Sequence, residues 1–136
     1  MKIIANNYEA NKYPLRGDLE GLIIYGIPNC DITKKALTWL KDHKIDFAFH
    51  DYKKEGISKP KLDDWCKQVG WELLLNKKST TWRGLTETVQ VSVTNQAAAI
   101  KIMMDNNSII KRPVIEFRDS ILVGFDEGAF LKYFLN

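Results

Sequence analysis

Cysteine is scarce in this chain: Cys30 and Cys66 are the only two among 136 residues, so at most one bridge can form. That excludes a disulfide scaffold, and the surrounding sequence suits an intracellular α/β protein in a reducing cytoplasm. Charge of one sign is scarce as well. The 20 Lys+Arg against 17 Asp+Glu leave a net +3, too little to point to nucleic acid unless the basic residues converge on one face. Long apolar runs are missing. Short stretches such as Leu22 to Tyr25 and Ala97 to Ile100 fall far below the roughly 18 residues that cross a bilayer. At the start, Ile3, Ile4 and Ala5 give way at once to Asn6 and Asn7, which is no signal-peptide core. A soluble cytoplasmic protein with no membrane and no nucleic-acid partner is expected. His43 and His50 have no metal-ligand spacing with each other or with the cysteines, so no metal is implied. There is no internal repeat and no low-complexity tract.

What is present is enough for one core, since 45% of the residues are apolar. Residues 1–20 lack helical or strand periodicity and carry Pro14 and Gly17 as breakers, which reads as a flexible N-terminal arm. An edge strand at Lys2 to Ala5 is the open alternative. Leu22 to Tyr25 between Gly21 and Gly26 suits a buried strand, and Ile32, Ala36, Trp39 and Leu40 after Cys30 trace one helix face. Phe47 to Tyr52 alternates like a second strand. Ser58 caps a helix with Leu62, Trp65, Cys66 and Val69 inward until Gly70, and Trp71 to Leu75 makes a further turn. Asn76 to Arg83 has no apolar period and reads as a surface loop. Thr94 caps a helix carrying Ala97, Ile100 and Met104, closed by Asn106 or Asn107 in the left-handed conformation. Pro113 to Phe117 and Ile121 to Val123 form a hairpin, and Asp126 caps a last helix with Ala129, Phe130, Tyr133 and Phe134 inward. The order is β-α-β, helices, β-β-α.

Cys30 is the residue best placed for chemistry. A helix N-terminus offers unpaired backbone N–H groups and the positive end of the macrodipole, both of which favour a thiolate at neutral pH. The competing reading is a small buried hydrophobe. The same amides in the turn 29–33, with Asn29, Asp31 and Thr33, suit an oxyanion or carboxylate. Thr33 stands where a Cys-x-x-Cys motif would place its second sulfur, so resolution of oxidised Cys30 needs an outside thiol. Cys66 shares an apolar helix face and reads as core. Arg112 precedes Pro113 at a strand entrance, where a cis bond would fix it, and a guanidinium near Cys30 would hold an anion in bidentate fashion. A solvated surface arginine is the plainer alternative. Lys34, Lys77, Lys78 and Arg83 add a basic rim.

Over residues 21–136 the chain resembles the arsenate reductase family of the thioredoxin-like superfamily. The residues that carry the resemblance are Tyr25-Gly26-Ile27-Pro28-Asn29-Cys30-Asp31, Phe49-His50-Asp51-Tyr52, Leu74-Leu75-Asn76-Lys77-Lys78, Thr80-Thr81-Trp82-Arg83, Ile110-Lys111-Arg112-Pro113 and Val123-Gly124-Phe125-Asp126-Glu127. They are most similar to the small bacterial branch, related to both arsenate reductases and Spx-type regulators, that has been proposed to act as glutathione-dependent thiol reductases. The resemblance implies a thioredoxin-like α/β fold, with four mixed strands and a helical subdomain inserted at about 57–108 between the second and third. It implies Cys30 and Arg112 as catalytic residues, with Asn29, Asp31, Thr33, Lys34, Asn76, Lys77 and Pro113 toward the substrate. Glutathione is the expected co-substrate, glutaredoxin a protein partner, and the chain a monomer. The family's other two clamp arginines fall at Asn76 and near Gly124, so most of the oxyanion clamp is replaced. The alternative the resemblance carries is an Spx-type regulator that binds RNA polymerase, a group that generally keeps the Cys-x-x-Cys switch Thr33 removes.

Overall fold

The computed structural model describes residues 21–117 and 120–135; the expected arm at 1–20 and the hairpin residues 118 and 119 lie outside it. The chain divides into two compact units, one holding the described residues through Asp51 and from Arg112 onward, the other spanning Tyr52–Lys111.

The first unit is built on a four-stranded mixed sheet in the order β2-β1-β3-β4. β1 (Ile23–Gly26) pairs parallel with β2 (Ala48–Asp51) and antiparallel with β3 (Val114–Phe117), and β3 pairs antiparallel with β4 (Ser120–Val123). Two β-branched residues and an aromatic suit β1 to a central position, where neighbours hydrogen-bond it on both sides. The period-2 alternation then sorts the side chains. Ile24, Ile115 and Leu122 lie across from one another and join Ala36, Trp39 and Leu40 of α1 (Asp31–Asp42) and Phe130 and Phe134 of α8 (Glu127–Leu135) in one core. The other face carries Tyr25, whose hydroxyl donates to the buried Glu116 carboxylate at 2.9 Å. Asp126 caps α8 as expected, its Oδ2 accepting from Ala129 N at 3.0 Å, but only Phe130 and Phe134 of that helix are buried while Ala129 and Tyr133 are half-buried.

Phe130 is the keystone of the aromatic cluster, in edge contact with Trp39 at 5.3 Å, Phe125 at 4.7 Å and Phe134 at 5.6 Å, and wholly buried. Phe130→Ala is expected to destabilise the protein by about 3–5 kcal/mol. Urea titration followed by tryptophan fluorescence reads this as a lower midpoint with an unchanged slope.

The second unit is helical and lies between β2 and β3 in the sequence: α2 (Tyr52–Glu55), α3 (Lys59–Val69), α4 (Trp71–Leu74), α5 (Thr80–Arg83), α6 (Glu87–Ser92), α7 (Gln96–Asp105) and a 3-10 turn at Asn107–Ile109. It begins earlier than 57, at the fully buried Tyr52. Ser58 caps α3, accepting from Lys61 N at 3.3 Å, and Leu62, Trp65 and Cys66 are buried as read from the pattern. Three expectations are corrected. The segment 76–83 is not all loop: Ser79 accepts from Trp82 N at 3.1 Å and starts α5, whose Trp82 is buried. Asn95, not Thr94, caps α7 through Ala98 N at 2.9 Å. Asn106 closes α7 at φ −140° rather than left-handed, with both its backbone N–H, at 2.9 Å, and its side-chain amide, at 3.3 Å, donating to Ile102 O. Among the described residues no helix is long and apolar enough to cross a membrane.

Candidate active site around Cys30

Leaving β1 at Gly26, the chain passes buried Ile27 and an exposed turn at Pro28 and Asn29, and delivers Cys30 to the N-cap of α1 at φ −129°, ψ 123°. That is ordinary cap backbone, and at such positions a Ser, Thr, Asp or Asn oxygen accepts the N–H of the second or third helical residue. Cys30 makes no such bond. A neutral thiol is a weak acceptor, so this helix forgoes about 1 kcal/mol of capping. A thiolate is a strong acceptor and would take those same N–H groups.

The electrostatics agree with that reading. Partial burial pushes the Cys30 thiol up, but four groups together outweigh it and hold the thiol below its ordinary 9.0: the Thr33 hydroxyl, the Thr33 N–H, the Arg112 guanidinium and the Ile32 N–H. Cys30 is half-buried and unbridged. Cys66 behaves in the opposite way. Buried in α3 and facing Asp63 and Glu72, its thiol is pushed up to about 11 by desolvation first and those carboxylates second. Its expected place in the core holds.

Thr33 differs from its neighbours on the first turn. The helix pattern placed Ile32 inward, but Ile32 is 42% exposed while Thr33 is 0% exposed. The buried line of α1 therefore runs Thr33, Ala36, Leu40, spacings of three and four, with Thr33 against the end of β1. Thr33, expected toward the substrate, has its side chain closed off from solvent. Asn29, Asp31 and Lys34 are exposed around the same turn, and Lys34 N donates to Cys30 O at 2.9 Å.

Arg112 is half-buried and Pro113 buried, and the peptide bond between them is cis as anticipated. Pro113 O accepts from Gly124 N at 2.7 Å, which ties the entrance of β3 to the exit of β4. Asn76 and Lys77 belong to the helical unit. Asn76 N donates to Ile109 O at 2.8 Å, Asn76 Oδ1 accepts from Lys78 N at 3.0 Å, and Lys77 Nζ lies 5.6 Å from the centre of the Trp82 ring. One residue the sequence reasoning passed over is Gly26. A Cβ built there would stand 2.8 Å from Thr33 Oγ1 and 2.9 Å from Thr33 Cγ2, closer than side chains pack. Its signal, a glycine ending the strand four residues before the cysteine, has no meaning until Thr33 is seen against it.

A family model for the ArsC family matches residues 25–133. An uncharacterized protein of Haemophilus influenzae is 42% identical over 113 residues, covering 83% of this chain and 98% of the relative. The solved structure of an arsenate reductase (ArsC) related protein from Brucella melitensis is 47% identical, with a TM-score of 0.68 over 85% of this chain and 95% of that one. Global transcriptional regulator Spx 2 of Lactococcus lactis is 29% identical, over 78% of this chain and 80% of its own length.

Proposed function

The chain belongs to the ArsC family, and from that premise we propose that it is a glutathione-dependent thiol oxidoreductase with Cys30 as its nucleophile. The observation that carries this is the Cys30 thiol at the N-cap of α1, uncapped as a thiol and held below its ordinary value. The Cys30 thiolate attacks the glutathione sulfur of a mixed disulfide R–S–S–G, and R–S⁻ leaves and takes up a proton. A second glutathione thiolate attacks the glutathione sulfur of the Cys30–S–S–G adduct, forms oxidised glutathione and returns Cys30 as thiolate. The R sulfur is reduced at the expense of the one incoming glutathione thiol, while the glutathione sulfur already in the mixed disulfide stays at disulfide level, so R–S–S–G plus GSH gives R–SH plus GSSG. With Thr33 in place of a second cysteine the adduct has no internal resolving thiol, which is why an external one is needed. Arg112 and the first-turn amides stabilise negative charge on the sulfur and on any anionic group beside it. A sulfur substrate is favoured over arsenate, because two of the family's clamp arginine positions fall at Asn76 and near Gly124.

The test is formation of oxidised glutathione from reduced glutathione and a small glutathionyl disulfide, with mass spectrometry of the trapped adduct. Turnover together with glutathione on Cys30 and none on Cys66 supports the reading. No adduct and no turnover would refute it. The likeness to Spx 2 favours one further reading, a regulator that binds RNA polymerase, and a pull-down with the polymerase α subunit separates the two. Capture of that subunit without turnover would replace the enzyme with the regulator.

A further inference from the structure

Thr33 Oγ1 is a buried hydroxyl with no hydrogen-bond partner of acceptable geometry. Such a group loses its water on folding and is expected to find a protein partner. A threonine at this depth, with nothing to bond, is therefore unexplained by stability alone, since valine would fill the same volume without the loss. The chemistry of its neighbour resolves this. The Cys30 sulfur is a poor acceptor while it carries its proton and a strong one once the proton has gone, and a hydroxyl rotates freely to meet it. The orphaned donor is thus satisfied in one protonation state only. Gly26 matters to the same arrangement. Its missing side chain leaves the space that Thr33 occupies, and a methyl there would meet both branches of Thr33 at under 3.0 Å.

We propose that Thr33 is the donor the Cys30 sulfur acquires on losing its proton, and that Gly26 is the positioning residue that keeps this donor in place by having no side chain. The assignment rests on Cys30 acting as a thiolate. It adds that the position of the absent second cysteine is used to stabilise that thiolate, both when it attacks and when it departs from the glutathione adduct. The Thr33 N–H and the Arg112 guanidinium act on the same sulfur from the backbone and from across the fold, and neither depends on the Thr33 hydroxyl. Removing the hydroxyl should therefore shift the thiol part of the way toward its ordinary value and leave the remaining stabilisation intact.

The experiment is iodoacetamide alkylation of Cys30 in the full-length protein as a function of pH, a readout that needs no substrate. Thr33→Val, which keeps shape and β-branching, is expected to lower the rate at mildly acidic pH by about tenfold, where rate follows thiolate fraction. Thr33→Ser keeps the hydroxyl and should stay within about twofold of wild type, a margin well below the energy of one hydrogen bond to a charged group. Gly26→Ala should reproduce the Thr33→Val loss and add little to it in the double variant. A Thr33→Val rate equal to wild type would overturn the role of Thr33. A Gly26→Ala loss that persists undiminished in the Thr33→Val background would overturn the role of Gly26. Should Gly26→Ala fail to fold, the Thr33 pair still decides the first claim. Absence of glutathione turnover with the alkylation pattern intact would count against the proposed function and not against this arrangement.

Discussion

Cys30→Ser is expected to abolish glutathione-dependent turnover, a fall of at least about a thousandfold, while leaving the protein as stable as before or more so. The loss follows from the chemistry, because a serine hydroxyl with no adjacent general base neither ionises near neutral pH nor forms a disulfide. The preserved stability follows from the helix. Serine is among the preferred N-caps and would accept the Ile32 or Thr33 N–H that the thiol leaves unpaired, a gain of about 1 kcal/mol. Activity and stability therefore move in opposite directions at this one position, and denaturant titration beside the turnover assay reads both. The pH dependence has a definite sign. Because the thiol is held below 9.0, the alkylation rate should rise and level off at lower pH than for an ordinary cysteine. A Cys30→Ser protein that unfolds more readily than wild type would show that Cys30 serves packing rather than chemistry.

The strand-turn-Cys-helix order, the closing hairpin and the Asp126 cap were legible because each has a local cause: apolar runs of strand length, a β-rich pair with a short connection, an aspartate before an amphipathic run. The errors came where tertiary context overrode local preference. Ile32 fits the apolar face of α1 better than Thr33 by hydropathy, yet Thr33 is the buried one, because the first turn packs over the vacant side of Gly26. Thr94 and Asn95 are both acceptable caps, and only the hydrogen bond to Ala98 N distinguishes them. The 76–83 segment lacks an apolar period because α5 is a single turn, too short to display one, and it buries a lone Trp82. The site itself divides along the same line. Cys30 was visible from its position before a helix, whereas Gly26 and the orphaned Thr33 hydroxyl exist only as a spatial relation between a strand end and a helix start.

Arg112→Ala is expected to act on two quantities that pH separates. The first is the ionisation of Cys30. Burial raises that thiol, and the guanidinium is one of the groups that bring it back down, after Thr33. Its removal should therefore move the rising limb of the alkylation profile to higher pH without restoring ordinary cysteine behaviour, since Thr33 and the Ile32 N–H remain. The second quantity is the charge that develops on a bound anionic group during reaction. Losing one donor to such charge typically lowers turnover by about 100- to 1000-fold, and Arg112→Lys, which keeps the charge but not the two-pronged fork, should recover only part of it. Above the ordinary thiol value the Cys30 of the variant is ionised as fully as in wild type, so alkylation rates should converge there. A turnover deficit that persists at that pH isolates the anion contact, whereas a deficit that vanishes with it assigns Arg112 to the thiolate alone. Alkylation profiles that coincide across the whole range would remove Arg112 from the sulfur's surroundings, leaving the helix N-terminus and Thr33 to hold the charge.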